Sequence, residues 1–366
     1  MIKKRKFSLL LMFLCVLFVQ LVIVVFFNNY AENILSPSLQ YDKQYVCENT
    51  YINEPENLSL SYNNRFLAYI NEGSLVVIDL INNNPVLISN KKFENIPENY
   101  KILNFKWLPD RNILLYFCSV KIDNDNFIIL CTLELIETGE KVTVNNVLER
   151  EYSVPDEGYD IEKIQVSTYT NVIYYLSAHN NKKELNKIDL MKNINKINYN
   201  DENIIDFFVS NKSGTAYVNS NIKKENHIYE LMGNNKNLIL EDDSISLLGC
   251  INSKVFLGKI DNNLLNEVSY FKEDDKEVKI NVWKGKIAAN GLETFISDNE
   301  RMFFMTKDKI TMIDSLGNQK IIKNNIINKD KNIVIANNGN IYLIIDKYNG
   351  QLKYTWKKIQ LPEVAN

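Results

Sequence analysis

Histidine is scarce in this chain, with two among 366 residues. Metal centres and general acid–base sites often use histidine, so the sequence offers few residues for either kind of chemistry. The sequence also has no G-x-S-x-G elbow, no H-E-x-x-H, no C-x-x-C and no G-x-x-x-x-G-K-[ST] phosphate loop. We therefore predict no catalytic residue, no metal site and no cofactor.

A basic excess is missing as well. The formal net charge is −3, and four of the 42 lysines and arginines lie together at positions 3–6. The rest of the chain then has 38 basic against 45 acidic residues, a balance of −7. Nucleic-acid-binding domains normally carry a basic surface. We therefore expect no nucleic-acid partner.

Cysteine is too sparse for the disulfide framework of a small secreted domain, with five residues in the chain. Cys118 and Cys131 flank a predicted hairpin that turns at Asn124-Asp125. Two interpretations are open for this pair, a disulfide or two buried free thiols, and the second is preferred.

One long hydrophobic run follows the basic cluster. Phe7–Phe27 contains Ser8 and Gln20 as its only polar residues. At about 1.5 Å per residue, such a helix matches the roughly 30 Å hydrocarbon core of a bilayer. Because basic clusters stay in the cytoplasm, the rest of the chain should lie outside. We predict a single-pass cell-membrane protein with a cytoplasmic head at 1–6, a transmembrane helix at 7–27 and a linker at 28–43.

A cleaved signal peptide is the alternative interpretation of this run. Signal peptides have an apolar region of about 7–15 residues and small residues at the cleavage site. Here Asn28, Asn29 and Tyr30 follow the run, and Ala31 is the nearby small residue. The pattern favours an uncleaved signal-anchor.

A short pattern recurs seven times after the linker. It consists of an apolar strand, a polar turn, and a second apolar strand in which an aromatic residue precedes another apolar one. The aromatics lie 38 to 59 residues apart, near the length of a four-stranded blade. They are Tyr69, Tyr116, Tyr175, Tyr217, Phe256, Phe304 and Tyr342. We predict an all-β fold, a β-propeller over residues 44–361, with a tail at 362–366.

Seven repeats favour seven blades, with six or eight as alternatives. The last unit runs out after its third strand, at Leu361, whereas Gln44–Ile52 is a strand-like run ahead of the first unit. We expect this early strand to complete the last blade and so close the ring.

The first two units also carry a family resemblance. Residues 59–70 read SLSYNNRFLAYI and residues 73–80 read GSLVVIDL, while 105–110 (FKWLPD) and 114–116 (LLY) repeat the pattern. This resembles the blade signature of TolB-type propellers and of the N-terminal propellers of dipeptidyl peptidase IV-like proteins. It departs from them where Asn or Arg replaces the turn glycine. The resemblance implies a fold and not an activity. Since the chain ends at Asn366, we expect the accessory propeller without the hydrolase domain of those peptidases.

Three candidate binding residues fall in what we predict to be a long connection between blades, Asn145–Asp160. They are Tyr152, Asp156 and Tyr159. Long loops often carry function, and an aromatic and acidic composition suits contact with a protein or peptide. A plain insertion without a binding role is the alternative.

The two histidines are the other candidates. His179 and His227 occupy similar ends of neighbouring units, beside lysine pairs. If the fold brings them together, they would form an anion-binding rim or a pH-sensitive patch. Solvated hairpin residues are the alternative and preferred interpretation.

The anchor, the repeat and the missing catalytic motifs together favour one function. We predict a membrane-tethered, extracytoplasmic binding or scaffold module for a protein, peptide or envelope polymer. The alternative is a hydrolase or lyase that uses carboxylates at the mouth of the central channel. Such an enzyme would show converging carboxylates with raised pKa values.

Overall fold

Antiparallel strands make up most of the chain that the structure, a computed structural model, describes. It describes residues 20, 23, 56–82, 84–88, 100–122, 125–138, 141–154, 158–180, 182–197, 203–222, 225–233, 235–306, 309–322, 332–335, 341–344, 347–348, 351–352 and 357–359. The chain divides into two units, Met1–Tyr41 and Asp42–Asn366.

The predicted head, anchor and linker fall almost entirely outside the described residues. Within the anchor, Gln20 and Ile23 are described, and both are helical. In the described part of the chain, no helix has the length and apolar character needed to cross a bilayer.

Six sheets have four strands each, and within each sheet the strands pair in the order in which they follow along the chain. We number these sheets as blades one to six. Blades one to three contain β1 (Glu56–Leu60), β2 (Phe66–Asn71), β3 (Ser74–Asp79), β4 (Asn84–Ile88); β5 (Tyr100–Trp107), β6 (Ile113–Ile122), β7 (Asp125–Thr138), β8 (Lys141–Val154); β9 (Asp160–Ser167), β10 (Val172–His179), β11 (Lys182–Ile188) and β12 (Ile194–Ile197). Blades four to six contain β13 (Asn203–Val209), β14 (Ala216–Ile222), β15 (Glu225–Met232), β16 (Asn235–Glu241); β17 (Ile245–Ile251), β18 (Lys254–Asp261), β19 (Leu264–Lys272), β20 (Asp275–Ala288); β21 (Glu293–Ile296), β22 (Met302–Met305), β23 (Ile310–Ile313) and β24 (Gln319–Ile322).

The residues of the expected seventh unit form a smaller sheet. It pairs β25 (Asn332–Ile335), β26 (Ile341–Ile344) and β29 (Lys357–Ile359), and a separate hairpin joins β27 (Lys347–Tyr348) to β28 (Gln351–Leu352). The prediction of seven blades is therefore wrong, since six four-stranded blades are present in the described chain. The smaller sheet has three strands rather than four, and the β27–β28 hairpin lies between its second and third strands along the chain. The early strand expected to complete this unit, Gln44–Ile52, lies outside the described residues.

The first strands of successive blades line a ring. Contacts join β1 to β5, β5 to β9, β9 to β13, β13 to β17 and β17 to β21, and β25 contacts β1. Consecutive four-stranded antiparallel sheets whose innermost strands meet around an axis define a β-propeller. The predicted fold class is thus confirmed.

The second strand of each blade is deeply buried. The aromatics at the repeat position in blades one to six are at most 2% exposed. Neighbouring blades cover both faces of each sheet, so an inner strand such as Phe66–Asn71 begins with five apolar residues in a row. The seventh aromatic, Tyr342, has a side chain outside the described set.

The hydrophobic core is divided among the interfaces between blades. Between blades one and two, Phe66 packs with Tyr116. Between blades two and three, the rings of Phe117 and Tyr175 lie 5.0 Å apart. Tyr217 instead packs toward blade five. The repeat aromatics therefore do not all face the same way, because a one-residue shift along a strand reverses the face.

The turns between first and second strands explain why asparagine replaces glycine in the blade signature. Asn64, Asn171 and Asn252 have positive φ angles of 60°, 53° and 50°. Asparagine tolerates this left-handed conformation better than most residues with a Cβ. In the first of these turns the buried Ser61 hydroxyl accepts a hydrogen bond from the Phe66 amide at 3.0 Å, which closes the turn.

Cys118 and Cys131 are buried free thiols. In the hairpin of β6 and β7, Cys118 lies opposite Ile129 and Cys131 lies opposite Tyr116. The two cysteines are therefore diagonal neighbours, in agreement with the preferred interpretation.

A buried ion pair lies within blade one at the turn that follows β1, and its arginine also contacts blade two. Arg65 donates from Nε and Nη2 to both carboxylate oxygens of Asp79, at 3.1 and 2.8 Å. Its Nη1 donates to Glu137 of blade two at 2.6 Å, and Glu137 also accepts from the side chains of Asn63 and Asn112. Burial opposes ionisation of Asp79, but the hydrogen bonds from Arg65 hold the pKa of this carboxyl below its usual value.

We expect the substitution Arg65→Met to cost about 3–5 kcal/mol of unfolding free energy, because it leaves Asp79 buried without its counter-charge. The control is Arg111→Met, which breaks an ion pair with Asp110 whose side chains are 52% and 41% exposed. That loss should stay below about 1 kcal/mol. Urea unfolding followed by circular dichroism measures both. Equal losses in the two variants would contradict a special role for the buried pair.

Candidate functional site

One end of the ring carries two kinds of connection. Strands alternate in direction within a blade, so the turn between second and third strands lies at the same end as the connection from the fourth strand to the next blade. We call this the hairpin end. It includes the β6–β7 and β14–β15 turns and the segment that leads from β8 into β9.

A cleft of about 240 Å³ opens at the hairpin end of blade two, beside the segment that leads into blade three. Its lining residues are Lys101, Ser119, Val120, Lys121, Asn126, Phe127, Ile128, Val154, Gly158 and Tyr159. Ile128 and Val154 belong to the apolar cluster between blades two and three, so they form a hydrophobic floor. Lys101 and Lys121 are exposed and give the cleft a positive charge.

The β2–β3 turn of blade one supports Lys101 in this cleft. Gly73 in that turn has a φ of +76°, and a Cβ built on it would lie 2.9 Å from Cγ of Lys101. The carbonyl of Gly73 also accepts a hydrogen bond from the Ile102 amide at 2.8 Å. Glycine therefore allows the lysine stem to pass directly over the turn.

The structure separates the three candidates of the predicted long connection. Tyr159 lines the cleft. The Tyr152 hydroxyl donates to the carbonyl of Lys192 in blade three at 2.9 Å, and burial raises the pKa of Tyr152 to about 12. Asp156 lies outside the described residues. The prediction of a loop over Asn145–Asp160 is wrong, because β8 continues to Val154 as the outermost strand of blade two.

The two histidines do not share an interface. His179 lies four residues after Tyr175 on β10 and so shares the face that packs on blade two. His227 lies on the face of β15 that carries Leu231, which packs on blade three. Each histidine therefore points toward the preceding blade, and the expected rim does not form from the pair.

His227 instead has two glutamates for neighbours. One atom each from Glu225, His227 and Glu241 lie within 4.8 Å of one another. Glu225 and Glu241 were not predicted as site residues. The sequence spacing could have indicated Glu225, because residues two apart in a strand share a face. Glu241 could be identified only from the pairing of β15 with β16, which places it opposite His227.

Two lysines, Lys106 and Lys163, lie on the neighbouring first strands β5 and β9. Lys163 contacts Asp206 of β13 at 2.6 Å, and its Nζ lies 3.7 Å from the ring centroid of Phe208. Burial, and then the charge of Lys163, lowers the pKa of Lys106 to about 8. Part of the Lys106 side chain reaches solvent, so the protein atoms around its ammonium group limit its hydration without excluding water.

The alternative prediction, a hydrolase or lyase, requires several carboxylates that converge on one pocket and have raised pKa values. In the part of the chain that the structure describes, Asp298 is the carboxyl whose pKa is raised, and burial is the cause. It lies in the turn between β21 and β22.

The strand order of blades one to six places the chain in the class of β-propeller proteins. No protein-family model and no curated protein sequence matches it. Among solved structures, the Dos1 propeller is 14% identical to this chain, with a TM-score of 0.48. The alignment covers 82% of this chain and 79% of the Dos1 chain. PorZ, described as a surface component of the type-IX secretion system of Porphyromonas gingivalis, is 11% identical with a TM-score of 0.48, covering 82% of this chain and 36% of its own. A chain of the mitotic checkpoint complex is 8% identical with a TM-score of 0.47, covering 85% of this chain and 92% of its own. No activity or partner follows from these similarities.

The lowered pKa of Lys106 predicts a pH dependence of stability. Between about pH 8 and pH 10.4, the ordinary lysine value, the unfolded chain binds more protons at this residue than the folded chain. The unfolding free energy contributed by Lys106 therefore rises with pH across this window. We expect Lys106→Met to flatten the rise in melting temperature between pH 7 and pH 10, whereas Lys212→Met, at an exposed turn lysine, should leave it unchanged. The same pH profile in wild type and Lys106→Met would show the assignment to be wrong.

Proposed function

We propose that this chain is a membrane-tethered, extracytoplasmic β-propeller that binds an anionic segment of a protein, peptide or envelope polymer without catalysing a reaction on it. The observation that carries the proposal is the cleft at the hairpin end, in which two lysines and two aromatic rings surround a hydrophobic floor.

The charge of the cleft differs from that of the chain around it. The chain after its basic N-terminus has a balance of −7, whereas the charged side chains among the residues lining the cleft are Lys101 and Lys121. The net charge of the chain disfavours an anionic ligand, whereas the charge of the cleft attracts one. Such local complementarity favours the encounter and its orientation.

The size of the cleft supports a segment over a complete small molecule. Pockets for drug-sized ligands enclose about 300–1,000 Å³, and this cleft has about 240 Å³. It has room for one or two side chains or monomer groups of a longer ligand that crosses the hairpin end. Tyr159 and Phe127 give such groups a rigid aromatic surface at low entropic cost.

The proposed tether rests on Phe7–Phe27 and the basic cluster ahead of it. A 21-residue apolar helix with lysines and arginines on one side inserts with that side in the cytoplasm. The proposal of a non-catalytic role rests on the missing nucleophile and metalloprotease motifs and on a cleft lined by no described acid or histidine.

We expect full-length protein in detergent to bind a fluorescein-labelled oligoglutamate peptide more tightly than a matched oligolysine peptide. Lys101→Glu with Lys121→Glu should weaken oligoglutamate binding at least about tenfold, since each reversed charge replaces attraction with repulsion in a partly desolvated cleft. Tyr159→Ala should weaken it about threefold or more through lost apolar contact. Fluorescence anisotropy at two salt concentrations measures these effects.

The control for this experiment is Lys212→Glu with Lys236→Glu, a matched double reversal at exposed lysines outside the cleft. It should change oligoglutamate binding less than twofold once the salt concentration is near 0.15 M, because exposed charges are screened beyond about 8 Å. Equal losses in the cleft and control variants would indicate a non-specific charge effect and contradict the proposed site.

The tether has a separate test in intact cells. We expect Leu316→Cys, at a turn residue that is 83% exposed, to react with a membrane-impermeant thiol reagent from outside the cell. The background is Cys47→Ser, and a Lys4→Cys variant should react only after the membrane is opened. Labelling of Lys4→Cys but not Leu316→Cys in closed cells would reverse the proposed orientation.

A further inference from the structure

We propose that Glu225, His227 and Glu241 of blade four form a binding site for a divalent transition-metal ion, for which Zn²⁺ is the test ion. The site lies at the hairpin end on β15 and β16 of blade four, whereas the cleft is lined by blade two and the segment that follows it. The metal-site proposal can therefore be tested independently of the proposed ligand-binding function.

The strand register brings the three side chains together. His227 and Glu241 are direct partners in the antiparallel pair of β15 and β16. Glu225 lies two residues before His227 on the same strand and thus on the same face of the sheet. The three ligand atoms, one from each residue, all lie within 4.8 Å of one another.

A hydrogen bond sets the tautomer of His227. Its Nδ1 lies 3.0 Å from the backbone carbonyl oxygen of Glu225. A carbonyl oxygen only accepts, so Nδ1 carries the hydrogen, and in the neutral ring Nε2 presents a lone pair. Metal-binding histidines commonly show this arrangement, in which the second ring nitrogen donates to a carbonyl and fixes the ring.

The other ring nitrogen faces a carboxylate at a distance that suits a bridging ion. Nε2 of His227 lies 3.7 Å from Oε2 of Glu241, which is too long for a hydrogen bond. With the ring neutral, two acceptors face each other here, and a cation between them would relieve their repulsion. Ligands bound to Zn²⁺ at 2.0–2.2 Å in tetrahedral geometry lie about 3.3–3.6 Å apart. A closure of about 0.1–0.4 Å would bring Nε2 and Oε2 to that separation, and the Glu241 side chain, which is 55% exposed, has room to move by that amount.

The imidazole is held in place by its surroundings. The His227 side chain is 9% exposed, and its ring stacks on Tyr229 with centroids 5.8 Å apart and planes inclined by 14°. A ligand fixed in this way loses little conformational entropy when it binds an ion. Lys183 lies on the face of blade three that packs toward this side of blade four. Its positive charge would oppose a bound cation, but Glu162 compensates it at 2.6 Å.

The donor set indicates the class of metal. Imidazole nitrogen favours Zn²⁺ and other first-row transition ions over Mg²⁺ and Ca²⁺, while two carboxylates neutralise the divalent charge. Three protein ligands leave a fourth tetrahedral position open. Because Glu225 and Glu241 are exposed, we expect that position to be open to water or to a ligand group.

The experiment uses full-length, untagged protein in detergent, stripped of metal with a chelator and titrated with ZnCl₂ in a competition assay against a chromophoric chelator. We expect one high-affinity equivalent per chain, and addition of Zn²⁺ should raise the melting temperature. Glu241→Gln and Glu225→Gln, at exposed positions, should each weaken binding at least about tenfold, and His227→Gln should abolish it.

His179→Gln is the matched control, since it removes the only other histidine of the chain. It should bind Zn²⁺ like the wild type. Because His227 is buried, the two glutamate variants keep the test valid if His227→Gln fails to fold. The proposal is overturned if the wild type binds no Zn²⁺ at 100-fold excess, or if the glutamate variants bind as tightly as wild type. It is also overturned if His179→Gln loses as much affinity as His227→Gln.

Discussion

The constraint on which this structure depends is that each four-stranded sheet must bury both of its faces. The second strands are apolar on both sides, and their repeat aromatics in blades one to six are at most 2% exposed. A sheet of this kind cannot be stable alone, because one or both faces would meet water. Stacking sheets around an axis covers both faces of every blade, and contact between β25 and β1 joins the last sheet to the first. The core is therefore a set of interfaces, each shared by two neighbouring sheets.

Polar contacts align the blades that the apolar clusters hold together. Lysine–carboxylate pairs cross several interfaces: Lys192 with Glu149, Lys163 with Asp206, Lys276 with Glu230 and Lys254 with Glu300. Partly exposed pairs contribute little free energy, so their main effect is on the register between blades. The buried Arg65–Asp79 pair differs, because both charges depend on each other for solvation. A frame held in this way keeps the cleft and the His227 cluster in fixed positions at the hairpin end.

The parts of the fold that follow from local sequence were predicted correctly, and the parts that depend on long-range pairing were not. The repeat aromatics mark strands buried on both faces, and such strands have an unmistakable apolar composition. The outermost strand β8 alternates between partly and fully exposed residues, so its polar sequence resembled a loop over Asn145–Asp160. The blade count failed because the pattern marks only the first two strands of a unit. It contains no information on whether a hairpin such as β27–β28 replaces a later strand.

The amino-acid pattern alone was enough to establish an all-β repeat protein, the buried face of its second strands and the absence of known catalytic motifs, because these are properties of neighbouring residues. It also placed Tyr159 and His227 among the candidates. It did not place Lys101 beside Tyr159, or Glu241 beside His227, and it expected no metal site because histidine is rare. Those neighbours come from different strands, and their proximity is set by blade packing and strand register. One histidine is enough for the proposed site, since folding brings two glutamates to it.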